Sequence, residues 1–280
     1  MTPPSSVPST DGVRLAVHDL GGSGPTLLFS HATGFHGRCY QPIASSLADR
    51  FHSVAFDYRG HGDTLQPERP IDWNRYGDDA TAMARALVGV GGGPVVAFGH
   101  SMGGACLLMA AHRDPSLFSR LVLFEPIVFP ADFVRPQGEA SPMVEAARRR
   151  RATFPSYDAA LANFASKPPL NAFTPEALDA YVRFGFRLGP DGQVHLKCPP
   201  EIEAGTFELG GQHDTWSLLP SIHTPVLVLA GRPEEPQPPS MIASEVAAQL
   251  PHGRFVGLDA LDHFAPLTAP EIIADLIAVA

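Results

Sequence analysis

Six short apolar runs limit what this chain can fold into more than any other feature: TLLFS (26–30), SVAFD (53–57), VVAFG (95–99), LVLFE (121–125), VLVLAG (226–231) and RFVGLD (254–259). Longer stretches of helical periodicity separate them. The runs are continuous rather than alternating, which is the pattern of strands covered on both faces. Such strands alternating with helices predict an α/β fold, a mostly parallel central sheet with helices on both sides. Ligands of such sheets sit outside the carboxyl ends of the strands. The Gly, His and acidic residues that close the runs are therefore the place to look for chemistry.

Residues 130–221 break this rhythm. They hold helical patterns over 143–152, 157–166 and 174–184, a DG turn at Asp191-Gly192 and scattered prolines, but no strand run like those on either side. The segment reads as an inserted helical cap over the active edge of the sheet, with residues 1–129 and 222–280 forming the core. No internal repeat is present, and low complexity is confined to MTPPSSVPST at the start and RPEEPQPP at 232–239.

The balance of 44% hydrophobic and 18% charged residues over 280 positions is enough to bury a large core. A formal charge of −9, from 20 basic and 29 acidic residues, argues against a nucleic-acid partner. The basic run Arg148 to Arg151 is the exception, and the solvated face of a helix beginning near Met143 explains it better than an anion site. Three cysteines without CxxC spacing suggest neither a disulfide framework nor a zinc site. The first residues lack the charge and apolar stretch of a secretory signal. No apolar run approaches the ~20 residues of a membrane span, and the tail IIADLIAVA reads as a last core helix. The default expectation is a cytoplasmic protein with no membrane association.

One run carries the sharpest chemical signal. VVAF leads into Gly99-His100-Ser101-Met102-Gly103, and ACLLMAAH continues as a helix. A G-x-S-x-G sequence is common by chance, but a strand before it and a helix after it define a tight turn that lifts a serine above the sheet. Flanking glycines avoid the clashes that a Cβ would cause there. The helix that follows points its N-terminal N–H groups at developing negative charge.

With SHATGFHG (30–37), FDYRGHGDT (56–64) and LDALDHFAPL (258–267) added to this turn, the chain resembles the α/β-hydrolase superfamily over nearly its whole length outside the cap. The resemblance implies the α/β-hydrolase fold and a catalytic triad in the chain order Ser, acid, His. Ser101 is then the nucleophile, and His263, after the last strand run, holds the position of the general base. Imidazole suits that role because it titrates near neutrality. The resemblance also places the oxyanion-hole donors on the backbone of Met102, after the nucleophile, and of Thr33 in His31-Ala32-Thr33, where Ala32 replaces the usual glycine. His31, His36, His61 and His100 lack metal-ligand spacing such as HExxH and read as loop residues supporting the site.

Two glutamates compete for the acid. Glu234 follows VLVLAG at the position where most of the superfamily carries an aspartate, but it lies beside Glu235 in a loop of solvated composition. Glu125 closes LVLFE inside LVLFEPIVF, where a buried carboxylate costs several kcal/mol unless a partner such as an imidazolium compensates it. The segments HATGF, FEPIVFP and LKCPPEIEA are similar to a bacterial branch of α/β-hydrolases and, more distantly, to fungal toxin-biosynthesis and mycophenolate-pathway acyl-CoA hydrolases. Those fungal enzymes carry the acid shortly after the nucleophile helix. Glu125 is therefore preferred, with Glu234 as the alternative.

The expected function is cofactor-free and metal-free hydrolysis of a small-molecule carboxylic ester or thioester through an acyl-enzyme on Ser101. A serine there argues against dehalogenase and epoxide hydrolase chemistry, which need an aspartate. Two alternatives use the same scaffold: carbon–carbon hydrolysis of a β-diketone, and ligand binding with vestigial activity. The cap aromatics Phe133, Phe154, Phe164, Phe173, Tyr181, Phe184, Phe186, Phe207 and Trp216 should mostly form the cap's own core. A few lining the site would favour a medium-sized apolar acyl group. Nothing in the sequence sets the oligomeric state, and a homodimer is allowed.

Overall fold

All six apolar runs are strands in the computed structural model, which describes residues 2–130, 133, 141–232, 234 and 238–280. In chain order the strands are β1 (Ser6–Pro8), β2 (Arg14–Gly22), β3 (Thr26–Ser30), β4 (His52–Phe56), β5 (Val95–His100), β6 (Phe118–Phe124), β7 (Thr153–Phe154), β8 (Phe186–Leu188), β9 (Val194–Leu196), β10 (Val226–Arg232) and β11 (Gly253–Asp259). An eight-stranded sheet has the order β1-β2-β4-β3-β5-β6-β10-β11. From β4 to β11 every pairing is parallel, and β2 joins β4, and β1 joins β2, antiparallel. Every residue of β3, β4 and β5 is buried, as continuous apolar runs require.

Two apolar layers cover the sheet. On one face the helices Trp73–Gly91, Met102–Arg113 and Ala243–Gln249 contribute Tyr76, Met83, Leu108 and Val246. On the other, Gln41–Ser46 and Pro270–Val279 contribute Ile43, Ile273 and Ile277. The apolar tail is thus a core helix. No helix among the described residues is long and apolar enough to cross a membrane. All three cysteines are free and buried.

The first two strands depart from the sequence reading. β1 falls inside the stretch read as low complexity, and β2 mixes buried and exposed positions without a continuous apolar run. Pro8 ends an edge strand, where a missing N–H leaves no ladder bond unmade.

Residues 141–221 contain the helices Pro142–Arg148, Tyr157–Ala165, Pro175–Gly185 and Pro200–Glu208, so two of the three helical patterns hold to within a residue at each end. Their starts are fixed by Ser156 and Thr174, whose side chains accept from the N–H groups of Ala159 and Ala177. The first pattern stops at Arg148, four residues early. The segment also holds strands that were not expected: an antiparallel sheet of order β7-β9-β8. Asp191-Gly192 lies in the β8–β9 connection, with Gly189 N–H donating to Gln193 O. Strands of two and three residues are too short for periodicity to reveal.

The basic run is also not one solvated face. Arg148 meets Glu145, Glu201 and Glu208 at the surface, and the Arg151 guanidinium lies over the Phe154 ring. Arg150 turns inward to the buried Glu203, with Nε 2.7 Å from Oε2 and Nη2 2.8 Å from Oε1.

Candidate active site

The turn after β5 is built by close backbone approach. Ser101 has φ 56° and ψ −117°, and its N–H donates to Phe124 O at the end of β6 over 2.9 Å. Its carbonyl accepts from Gly104 at 3.0 Å and from Ile127 at 3.2 Å. A Cβ on Gly103 would lie 2.1 Å from the carbonyl oxygen of Ser30. That atom belongs to β3, so a side chain could fit only by moving the sheet. Gly103→Ala is expected to destabilise the protein by about 2 kcal/mol or more. Gly89→Ala, exposed in the helix Trp73–Gly91 with nothing near its Cβ, should stabilise it by about 0.5–1 kcal/mol. Urea unfolding midpoints of the two variants check both signs.

Glu125 follows β6 in left-handed backbone, φ 46°, with its N–H bonded to Leu229 O of β10. Its side chain is buried beneath His263: Oε2 lies 2.6 Å from Nδ1, while Oε1 accepts the Gly231 N–H at 2.9 Å. Both carboxylate oxygens are therefore occupied, which meets the requirement that a buried carboxylate find partners. Because the carboxylate can only accept, Nδ1 of His263 carries the proton. Nε2 is left as the basic nitrogen of a ring about one-third exposed. The structure thus brings Glu125 and His263 together. Glu234 is exposed in the loop after β10, and its neighbours at 233 and 235–237 lie outside the described residues.

The turn after β3 carries the other expected donor. Thr33 is buried, and among the described residues Ala32 N–H goes to the Tyr40 hydroxyl and Phe35 N–H to Ala32 O. Gly34, at φ +78°, takes the left-handed position of this turn, so an alanine at 32 meets no backbone penalty. A Cβ on Gly34 would lie 2.6 Å from Oε1 of Glu203, which places the Arg150–Glu203 pair directly against the turn. Met102 opens the helix Met102–Arg113, where its N–H has no acceptor within the helix.

A series of aromatic contacts runs beside His263. Phe35 meets Tyr181 at 5.5 Å and Phe173 at 6.1 Å, Phe173 meets Phe264 at 5.7 Å, and Phe264 meets the His263 ring at 5.8 Å. Phe154, Phe164 and Phe186 instead pack on one another, and Phe133 stacks on Phe129. Tyr181 joins both groups, since it also meets the Phe164 ring at 5.5 Å, and Phe173 packs between Phe35 and Phe264.

The loop histidines His31, His36 and His61 are held neutral. Burial lowers His31 to about 3 and His36 and His61 to about 4. His31 bridges the two loops: its Nε2 accepts from Tyr58 N–H, and Nδ1–H donates to Ala32 O. Among the described residues, His18, Asp57 and Asp63 are the group whose atoms could gather a metal ion. Asp57 already accepts from His18 Nε2, Gly37 N and Asp63 N, each at 2.8 Å, and Lys197 Nζ lies 2.6 Å from Asp63. Burial opposes ionisation of Asp57, yet the hydrogen bond and charge of His18 hold its carboxyl well below the usual range. The group fastens β2 to the loop after β4.

The alpha/beta hydrolase family matches this chain over residues 27–276. Among characterised proteins it is similar to 2-(acetamidomethylene)succinate hydrolase of Mesorhizobium japonicum, 35% identical over 104 residues, covering 37% of this chain and 36% of that protein. It is also similar to lipase LipV of Mycobacterium tuberculosis, 36% identical over 118 residues, covering 41% of this chain and 43% of the lipase. These matches span less than half of either relative. Among solved structures, E-2-(acetamidomethylene)succinate hydrolase superposes with a TM-score of 0.76 at 24% identity, covering 98% of this chain and 97% of that one.

Proposed function

The chain belongs to the alpha/beta hydrolase family, and from that premise we propose that it is a serine hydrolase that cleaves a carboxylic ester or thioester through an acyl-enzyme on Ser101. The observation that carries this reading is the 2.6 Å contact of Glu125 with Nδ1 of His263. It fixes the tautomer whose Nε2 can take the serine proton. Ser101 Oγ attacks the carbonyl carbon as Nε2 removes its proton. The developing oxyanion is held by the N–H groups of Met102 and Thr33. Collapse expels the leaving group, which receives that proton, and water deacylates Ser101 by the same path in reverse order.

Residues 130–221 act as the cap, and their aromatics Phe173 and Tyr181, with Phe35 and Phe264, line an apolar acyl site. The substrate is a small molecule, and the site works without a cofactor. Along p-nitrophenyl esters from acetate to decanoate, kcat/KM should rise to butyrate or hexanoate and then fall, because each buried methylene adds about 0.8 kcal/mol until the site is filled. A steady decline from acetate would show that no apolar lid is present. Absence of turnover on any ester, acyl-CoA, p-nitroanilide or β-diketone would leave a binding protein.

A second reading, hydrolysis of an amide or a carbon–carbon bond, is favoured by the 2-(acetamidomethylene)succinate hydrolase relative. The same triad would serve it. Turnover of p-nitroanilides or β-diketones faster than of the matched esters decides for it.

A further inference from the structure

Tyr40 and His100 have no place in the proton transfers above, yet both are fully buried, and their hydrogen bonds reach the turn that carries Thr33 and the loop that carries His263. Three hydrogen bonds run through them. Ala32 N–H lies 3.2 Å from the Tyr40 hydroxyl, that hydroxyl lies 2.9 Å from His100 Nδ1, and His100 Nε2 lies 2.8 Å from the carbonyl oxygen of His263. Every role in this chain is forced. A carbonyl only accepts, so Nε2 carries the His100 proton. Burial holds His100 neutral, well below its ordinary pKa, so Nδ1 is an acceptor. The tyrosine hydroxyl must then donate to Nδ1, and its oxygen is free to accept from Ala32. The bonds therefore run one way, from the turn that carries Thr33 to the main chain of His263.

His100 is also the residue before Ser101, and its ring lies 4.9 Å from that of His263. One side chain thus touches the backbone of the base and, through one hydroxyl, the backbone of the oxyanion turn, while its own main chain continues into the nucleophile.

We propose that Tyr40 and His100 are positioning residues that hold the oxyanion turn and the His263 loop in register on either side of Ser101. This rests on the reading of Ser101 as nucleophile. Their action is geometric, since neither exchanges a proton with substrate. A shift of about 1 Å in either loop is enough to cost 10²-fold in rate.

The test is the inactivation kinetics of a fluorophosphonate probe, which needs no knowledge of the substrate, read as kinact against KI beside the melting temperature. Tyr40→Phe removes the one hydroxyl in the chain and should lower kinact about tenfold while KI stays within about twofold. His100→Leu removes both bonds and should lower kinact by about 10². His100→Gln keeps a donor for the His263 carbonyl and should recover part of that loss. Tyr76→Phe removes another buried hydroxyl, bonded to Thr206 Oγ1 at 2.9 Å. It should lower the melting temperature as Tyr40→Phe does and leave kinact unchanged. Should His100→Leu not fold, Tyr40→Phe and His100→Gln decide.

Wild-type kinact in Tyr40→Phe would overturn the proposal. So would a loss confined to KI, or an equal loss in Tyr76→Phe. A wild-type protein that the probe does not label at Ser101 would overturn the nucleophile assignment first, and the positioning role with it.

Discussion

A fluorophosphonate is expected to label the wild-type chain at Ser101 and to leave Ser101→Ala unlabelled, and the substitution should remove roughly 10⁵-fold or more of kcat. The size of the effect follows from the division of labour in the site. On the proposed mechanism the N–H groups of Met102 and Thr33 survive the substitution and can still speed attack by water, but no acyl-enzyme can form. Folding should be little affected. The strained turn is built from backbone bonds of Ser101 to Phe124, Gly104 and Ile127, none of which involves Oγ. An unchanged melting temperature with lost labelling separates chemistry from structure. Labelling that persists in the variant would sink the assignment. Ser30, the serine of the neighbouring strand, is a poor substitute, since its hydroxyl is buried and bonded to Tyr58 and to the Gly103 carbonyl.

What the sequence makes legible is what local physics decides. The strands β3, β4, β5 and β10 can be read because burial on both faces demands uninterrupted apolar residues. The turn at Ser101 can be read because a strand, a glycine-flanked serine and a helix lie within a dozen residues. Glu125 is a stronger case, since a carboxylate inside LVLFEPIVF is costly unless paired, and the pairing with His263 is 138 positions away. That distance also marks the limit. β2 owes its place to pairing with β4, and β1 to pairing with β2, rather than to their own pattern, so composition makes β1 look like low complexity. Arg150 sits in a run of four arginines, and only the fold reveals that it faces Glu203 rather than water. His100 is identifiable as a support for the site, but its bonds go to Tyr40 and His263, 60 and 163 positions off. A network of that reach leaves no periodic trace.

The choice between the two glutamates carries the second large effect. Glu125→Gln is expected to lower kcat by about 10³–10⁴, and Glu234→Gln to change it less than about tenfold. Glutamine keeps the size and shape of Glu125 and alters only what its two terminal atoms can do. Gly231 N–H requires an acceptor, and the amide oxygen is the atom that supplies it. The amide nitrogen then faces Nδ1 of His263 as a donor, so the ring must turn its lone pair to it and carry its proton on Nε2. That is the wrong tautomer for a base, because Nε2 can no longer take the proton of Ser101. The loss should therefore fall on kcat, with KM and the melting temperature nearly unchanged. Glu234 is exposed, so its charge is screened by solvent and its removal leaves the tautomer untouched. Steady-state kinetics of both variants on one ester decide the matter. The reverse pattern would move the acid to Glu234, and small losses in both would mean that either glutamate can serve His263 when the other is gone.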